Sequence, residues 1–113
     1  MKTTTQRIIK FRFYDKTEKK MKFFDSIWNM PDPDYDFDEI QQFTGLLDKS
    51  GKEIYEGDIL NSRISVQVGW HQEKCQFRVF RKLQWAGFAF TQKSIKRLKV
   101  IGNIYEHGHL LNK

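Results

Sequence analysis

A chain of 113 residues makes one domain of ordinary size, residues 1–113, and has no room for a second with its own core. Hydrophobic residues at 39% and aromatics at 15% exclude a disordered chain and supply enough apolar side chain for one packed core. The net charge of +6 is uneven: residues 1–22 carry +6, residues 23–58 carry −8 and residues 59–113 carry +8. The acidic middle is therefore expected to lie against a basic surface, within the fold or on a neighbouring copy, and positive charge alone loses force as a sign of nucleic acid.

No run approaches the roughly 20 apolar residues needed to cross a bilayer. The opening MKTTTQRIIKFRFYDK scatters charge where a signal peptide has an apolar block, so the cytoplasm is the expected compartment. Cys75 is the only cysteine, which excludes an intrachain disulfide and points to a reduced, buried thiol.

In chain order, Ile9, Phe11 and Phe13 alternate with Lys10, Arg12 and Tyr14, predicting a first strand with one apolar and one polar face. After a basic turn at 16–20, residues 21–24 return beside it as the second arm of an N-terminal hairpin. Residues 29–38, NMPDPDYDFD, combine two prolines with repeated Asp and read as an exposed acidic loop, with a short helical turn over 38–42. Residues 43–47 and 52–55 flank Asp48-Lys49-Ser50-Gly51, a tight turn between apolar segments. Glu56-Gly57-Asp58 is a second turn, in which Gly57 suits a positive φ, and it leads into Ile59 and Leu60.

Ile64, Val66, Val68 and Trp70 alternate with Ser65, Gln67 and Gly69, a strand with one buried face. Two further strands are expected at 77–82 and 83–91. A last one over 94–106 carries Leu98, Val100 and Ile104 on one face, with Gly102 at a bulge or a close-contact point. The total is an all-β fold, a small partly open barrel or sandwich of about seven short strands that begins with the hairpin. Its expected core comprises Ile9, Phe11, Phe43, Leu46, Ile54, Ile59, Val66, Val68, Trp70, Val79, Leu98, Val100 and Ile104.

The stretch Ile40-Gln-Gln-Phe-Thr-Gly-Leu-Leu-Asp-Lys-Ser-Gly-Lys-Glu-Ile-Tyr-Glu-Gly-Asp-Ile-Leu60 resembles the signature of the YopX-like family of small phage and prophage proteins, a phrase of the form QFTGLxDxxGxEIYEGDI. The opening Arg7-Ile-Ile-Lys-Phe-Arg-Phe-Tyr-Asp15 is similar to the family's R-x-I-K-F-R-A-W-D, with Phe13 and Tyr14 in place of Ala and Trp. Val100-Ile-Gly-Asn-Ile-Tyr-Glu106, with Leu110 and Leu111, is similar to its closing phrase. The three matches stand in family order along nearly the whole chain. The resemblance implies an all-β fold, a phage or prophage origin and self-association, and it carries over no catalytic or binding residue.

Could the signature be a site? Thr44, Asp48, Glu53, Tyr55, Glu56 and Asp58 would form a carboxylate-bearing cluster of the kind hydrolysis uses. Structure explains the same residues more simply. Gly45, Gly51 and Gly57 meet backbone demands, Asp48 and Asp58 bond nearby amides, and Phe43, Leu46, Ile54 and Tyr55 are core. The alternate Asp residues at 32, 34, 36 and 38 suggest calcium, but Phe37 and Phe43 stand where a calcium loop wants Gly and Glu. His71, Cys75, His107 and His109 lack zinc-ligand spacing, so no metal or other cofactor is expected. No nucleophile elbow, phosphate loop or metalloprotease motif occurs, so an enzyme is not expected either.

Nucleic acid is the competing partner. Alternation puts Arg78, Phe80 and Lys82 on one strand face, an aromatic between cations, flanked by Lys74 and Arg81. A second basic run holds Lys93, Lys96, Arg97 and Lys99. A solvated face with Phe80 in a subunit contact explains the same residues, and the acidic middle offers the cations a protein partner. The sequence therefore favours a self-associating module that contacts host or phage proteins, with a small basic nucleic-acid-binding barrel as the alternative.

Overall fold

The computed structural model describes residues 8–31, 39–61, 65–81, 84–85 and 90–112. The acidic stretch 32–38, Ile64 and Lys82 lie outside them. Nine short strands are present among the described residues: β1 (Phe11–Asp15), β2 (Lys20–Phe24), β3 (Gln41–Leu47), β4 (Glu53–Tyr55), β5 (Asp58–Asn61), β6 (Ser65–His71), β7 (Gln76–Arg81), β8 (Gln84–Trp85) and β9 (Val100–Asn103). They form two antiparallel sheets, one ordered β2-β1-β3-β4 and the other β8-β7-β6-β5-β9. The all-β expectation holds, as a small two-sheet sandwich. The segments on either side of the Glu56–Gly57 turn pair in different sheets, β4 with β3 and β5 with β6 and β9, which helps bring the strand count above the expected seven.

The N-terminal hairpin pairs Phe11 with Phe24 and Asp15 with Lys20. Asp15 closes its turn: Oδ1 accepts from the amides of Thr17 and Glu18 at 2.9 and 3.0 Å, and the Lys22 ammonium lies 2.8 Å from Oδ2. The main core lies against the inner face of the five-stranded sheet and gathers Ile54, Leu60, Val66, Val68, Val79, Ile95 and Val100, with Leu46, Phe90 and Leu98 packed against it. Burying each such aliphatic side chain contributes about 1.5–3 kcal/mol. Phe43 and Ile59 are buried as expected.

Several expectations are corrected. The polar face of β1 is an inter-sheet face: Arg12 is buried there and Tyr14 stacks on Tyr105 with centroids 5.9 Å apart, while Ile9 is exposed and Phe11 is half-buried. Trp70 continues the inward face of β6 but lies past the core and is 45% exposed. Residues 94–106 are not one strand. Thr91 and Ser94 form a reciprocal capping box that starts the one-turn helix α1 (Gln92–Ile95), which buries Ile95, and β9 begins only at Val100. The bulge falls at Ile101, since Ile59 pairs with Gly102 and Leu60 with Val100, while Gly102 is the close-contact point, where a Cβ would fall 2.6 Å from the His107 ring. Cys75 is exposed in the turn of the β6–β7 hairpin, in the left-handed region at φ 51°, with its thiol donating to the Gln72 carbonyl. Gln41 and Gln42, expected in a helical turn, are in β3.

Candidate functional site

The signature segment folds into two consecutive turns, each tied by one aspartate. Asp48 is buried at the β3–β4 turn. Its Oδ1 accepts from the amides of Ser50 and Lys52 at 2.8 and 2.9 Å, and its Oδ2 accepts from Val100 at 2.9 Å, which joins the turn to the second sheet. Burial raises the pKa of this carboxyl, but the three amides together carry it below the ordinary carboxylate range. Gly45, Gly51 and Gly57 all take positive φ, between 83° and 91°.

The second turn is a buried polar junction. Asp58 Oδ2 accepts from the Tyr55 amide at 2.8 Å, and Oδ1 lies 2.8 Å from Arg12 Nη2. Arg12 also donates from Nε to Gln41 Oε1 at 2.8 Å and from Nη2 to the Glu56 carbonyl at 3.0 Å, and its guanidinium sits 4.9 Å from the centre of the Tyr55 ring. Glu56 Oε1 accepts from the Gln42 amide at 2.8 Å. Gly57 completes the crossing: its amide donates to Val68 and its carbonyl accepts from Ile104. A Cβ on Gly57 would fall 2.0 Å from Gln41 Nε2, so no other residue fits without displacing that side chain. Burial raises the pKa of both Asp58 and Glu56, with Arg12 opposing in each case. The Tyr55 hydroxyl is pushed far up by burial and by Glu53 beside it.

This constellation has the residue types of a hydrolytic site, but Asp48, Glu56 and Asp58 are each engaged by the chain's own amides, and Asp58 by Arg12 as well. Glu53 is held by Lys10 at 2.5 Å and accepts from the Tyr55 hydroxyl. Thr44 donates to the Ile54 carbonyl. Of the signature residues, Phe43, Ile54 and Tyr55 are core, and Leu46 packs at its margin.

The basic residues expected to contact nucleic acid do not share one surface. Arg78 and Phe80 lie on the outer face of β7, where Phe80 stacks on His71 with centroids 6.2 Å apart and Arg78 donates to Gln76. Arg81 alternates to the other face, and Lys74 is exposed in the hairpin turn. Lys93, Lys96, Arg97 and Lys99 are exposed around α1, whose Ile95 packs on the opposite, inner face of that sheet. Among the described residues no group of three His, Cys, Asp or Glu is placed to hold a metal, and no helix is long and apolar enough to cross a membrane.

The end of β2 has a different character. Trp28, in the short 3-10 turn Ile27–Asn29, is 88% exposed, Phe23 is 60% exposed and Met30 is 50% exposed. Two cavities meet there at Phe24 and Asp25. One, of about 380 Å³, is walled by Phe11, Phe24, Met30 and Ile40 and is largely apolar. The other, of about 290 Å³, lies between Phe23, Tyr55, Asp25, Asn29 and the Lys10–Glu53 pair. A third groove, of about 530 Å³, runs between Leu46 and Thr44 of β3 and Trp70, Phe77 and Phe90. No sequence pattern marks the Asp25 or Asn29 side chains, because what sets them apart is the want of a partner among the described residues, and that is visible only once the fold is known.

A family model described as the YopX protein matches residues 28–112, most of the chain. A crystal structure of protein EF1440 from Enterococcus faecalis is similar, with 25% identity and a TM-score of 0.68 over 94% of this chain and 99% of that one. No curated protein matches the chain.

Proposed function

We propose that this chain, which belongs to the YopX family, is a self-associating protein-contact module rather than a catalyst. The observation that carries the reading is the open apolar end at β2, where Met30 and Ile40 line a largely apolar cavity and Phe23 and Trp28 stand exposed beside it. A second copy is the favoured occupant. This end belongs to the segment of charge −8, and residues 59–113 of any other copy bring +8. The engagement of the signature carboxylates by the chain's own groups supports binding over catalysis. A phage or prophage origin is what the resemblance implies, and contact with a host or phage protein, in the cytoplasm that the composition suggests, would use the same surface. Sedimentation velocity at low and high salt tests the reading. Association that weakens with salt is expected, since screening shortens ionic reach to about 3 Å at 1 M. A single monomeric species at tens of micromolar and low salt would overturn it.

One feature favours nucleic acid as a second reading: Phe80, stacked on His71 beside Arg78, offers a platform for a base. Fluorescence anisotropy of a labelled single-stranded oligonucleotide across a salt series separates the two. Phosphate contact predicts a steep fall in affinity with salt that Arg78→Ala and Phe80→Ala both reduce.

A further inference from the structure

We infer that the cavity between Phe23, Tyr55, Asp25 and Asn29 is a recognition pocket for a cationic side chain, arginine before lysine, supplied by a second copy of the chain. The inference rests on the self-association proposed above and gives it a specific contact. The cavity, about 290 Å³, is the size of a side chain, not of a cofactor. Its aromatic wall is Phe23, 60% exposed, which meets the buried Tyr55 ring edge to face with centroids 5.5 Å apart; an exposed ring of this kind attracts a flat cation across its π-cloud, whereas the Tyr55 ring already carries Arg12 at 4.9 Å.

The charges inside do not cancel. Lys10, the pocket's own cation, is committed to Glu53 at 2.5 Å and lies 5.8 Å from the centre of the Phe43 ring. That leaves Asp25, an exposed carboxylate with no hydrogen bond or ion pair to any described residue, and the Asn29 side-chain amide, equally without a partner among them. A carboxylate and an amide oxygen beside an aromatic wall match a guanidinium, which donates in a planar fork and stacks at the same time. An anion would meet Asp25, and a neutral apolar group would leave it desolvated and unpaired. The adjoining apolar cavity, which shares Phe24 and Asp25, would take a hydrophobic neighbour of that cation. In sequence, residues 25–39 hold six acidic residues and no basic one, a balance that disfavours anionic partners. The basic half of another copy is the complement that this chain itself provides.

The probes are N-acetyl-arginine amide and its neutral urea counterpart, N-acetyl-citrulline amide, titrated into the full chain while the Asn29 side-chain NMR signal and Trp28 fluorescence are followed. Arginine amide should bind in the millimolar range, citrulline amide should not, and Asp25→Asn should weaken binding by about tenfold or more. Because Asp25 is exposed and has no described partner, this variant should melt like the parent. In sedimentation, Asp25→Asn and added arginine amide should each dissociate the assembly. Equal binding of the two probes, or binding unaffected by Asp25→Asn, overturns the pocket whether or not the chain self-associates. Selective binding with an assembly indifferent to Asp25→Asn overturns the second copy as the occupant. Selective binding by a chain that stays monomeric overturns both the second copy and the self-association on which it rests, and leaves the cation pocket standing.

Discussion

Asp58, at the start of β5, and Asp25, just past the end of β2, are both aspartates near aromatic rings, and the fold treats them in opposite ways. Asp58 is buried, paired with Arg12 and bonded to the Tyr55 amide. Asp25 is exposed at the rim of two cavities and has no partner among the described residues. The signature, which looks most like chemistry, has its polar groups bound into the fold. The unremarkable stretch after β2 keeps polar and aromatic groups that the fold does not use. Side-chain type therefore identifies a site here less well than does the question of whether a group is already occupied.

The sharpest way to break this comparison is to remove Arg12. Arg12→Met leaves Asp58 buried and uncompensated and should cost about 3–5 kcal/mol in urea unfolding. The double variant Arg12→Met, Asp58→Asn should recover much of that loss, because no charge is then stranded. A single variant within about 1 kcal/mol of the parent would mean that the pair is not what joins the two sheets.

Next in size are the glycines. Gly57 and Gly51 share a φ of 83°, but a Cβ on Gly57 would strike Gln41, which holds Arg12, whereas one on Gly51 meets nothing within 4 Å. Gly51→Ala should cost about 1 kcal/mol for backbone strain alone, and Gly57→Ala about 2–3 kcal/mol. Thermal melts that ranked them equally would show that Gln41 moves aside freely.

Asp48→Asn should follow, at about 1–3 kcal/mol near neutral pH, since an amide cannot accept all three N–H bonds. The pH dependence gives its sign. Asp48 titrates below its ordinary 3.8 in the fold, so its stabilisation is complete above that value and is lost as pH falls through the lower folded value. The gap between parent and variant should therefore hold at pH 7 and 5 and narrow only below about pH 4. Asp58 and Glu56, raised above 3.8 and 4.5, act in the opposite sense, their contribution declining as pH rises above those values. Chemical denaturation across this range would reveal both.

Much of the fold was legible because turn chemistry and period-two alternation are local. Asp48 with Gly51, Gly57 with Asp58, and the β6 face of Val66 and Val68 all read directly from spacing. Some of what failed depended on the second sheet. Arg12 sits between Phe11 and Phe13 like any outward strand residue, and only the arrival of β5 makes its side the interior. Trp70 keeps its place in the alternation but outruns the core. The Thr91–Ser94 capping box was present in the sequence, yet it was hidden in a basic, β-like context. Of the nucleic-acid candidates, alternation placed Arg78 and Phe80 together correctly, but it could not show that α1 lies against the opposite face of their sheet.

The smallest effect on stability, and the one most telling for function, should come from Trp28. A tryptophan that is 88% exposed buries little surface in the isolated chain, so Trp28→Ser should shift unfolding by less than about 0.5 kcal/mol. Phe23→Ser should cost somewhat more, since Phe23 also meets the Tyr55 ring edge to face. If this end is a contact surface, both variants should weaken association by far more than they weaken folding, because aromatic anchors dominate interfaces and Trp is prominent among them. The two quantities are separable: melts at a concentration where the chain is monomeric give folding alone, and sedimentation as a function of concentration gives association. Variants that lose stability and association in proportion would show that these rings serve the fold. Variants that lose neither would show that the open end of β2 is merely exposed, and the contrast between Asp25 and Asp58 would then concern packing and not function.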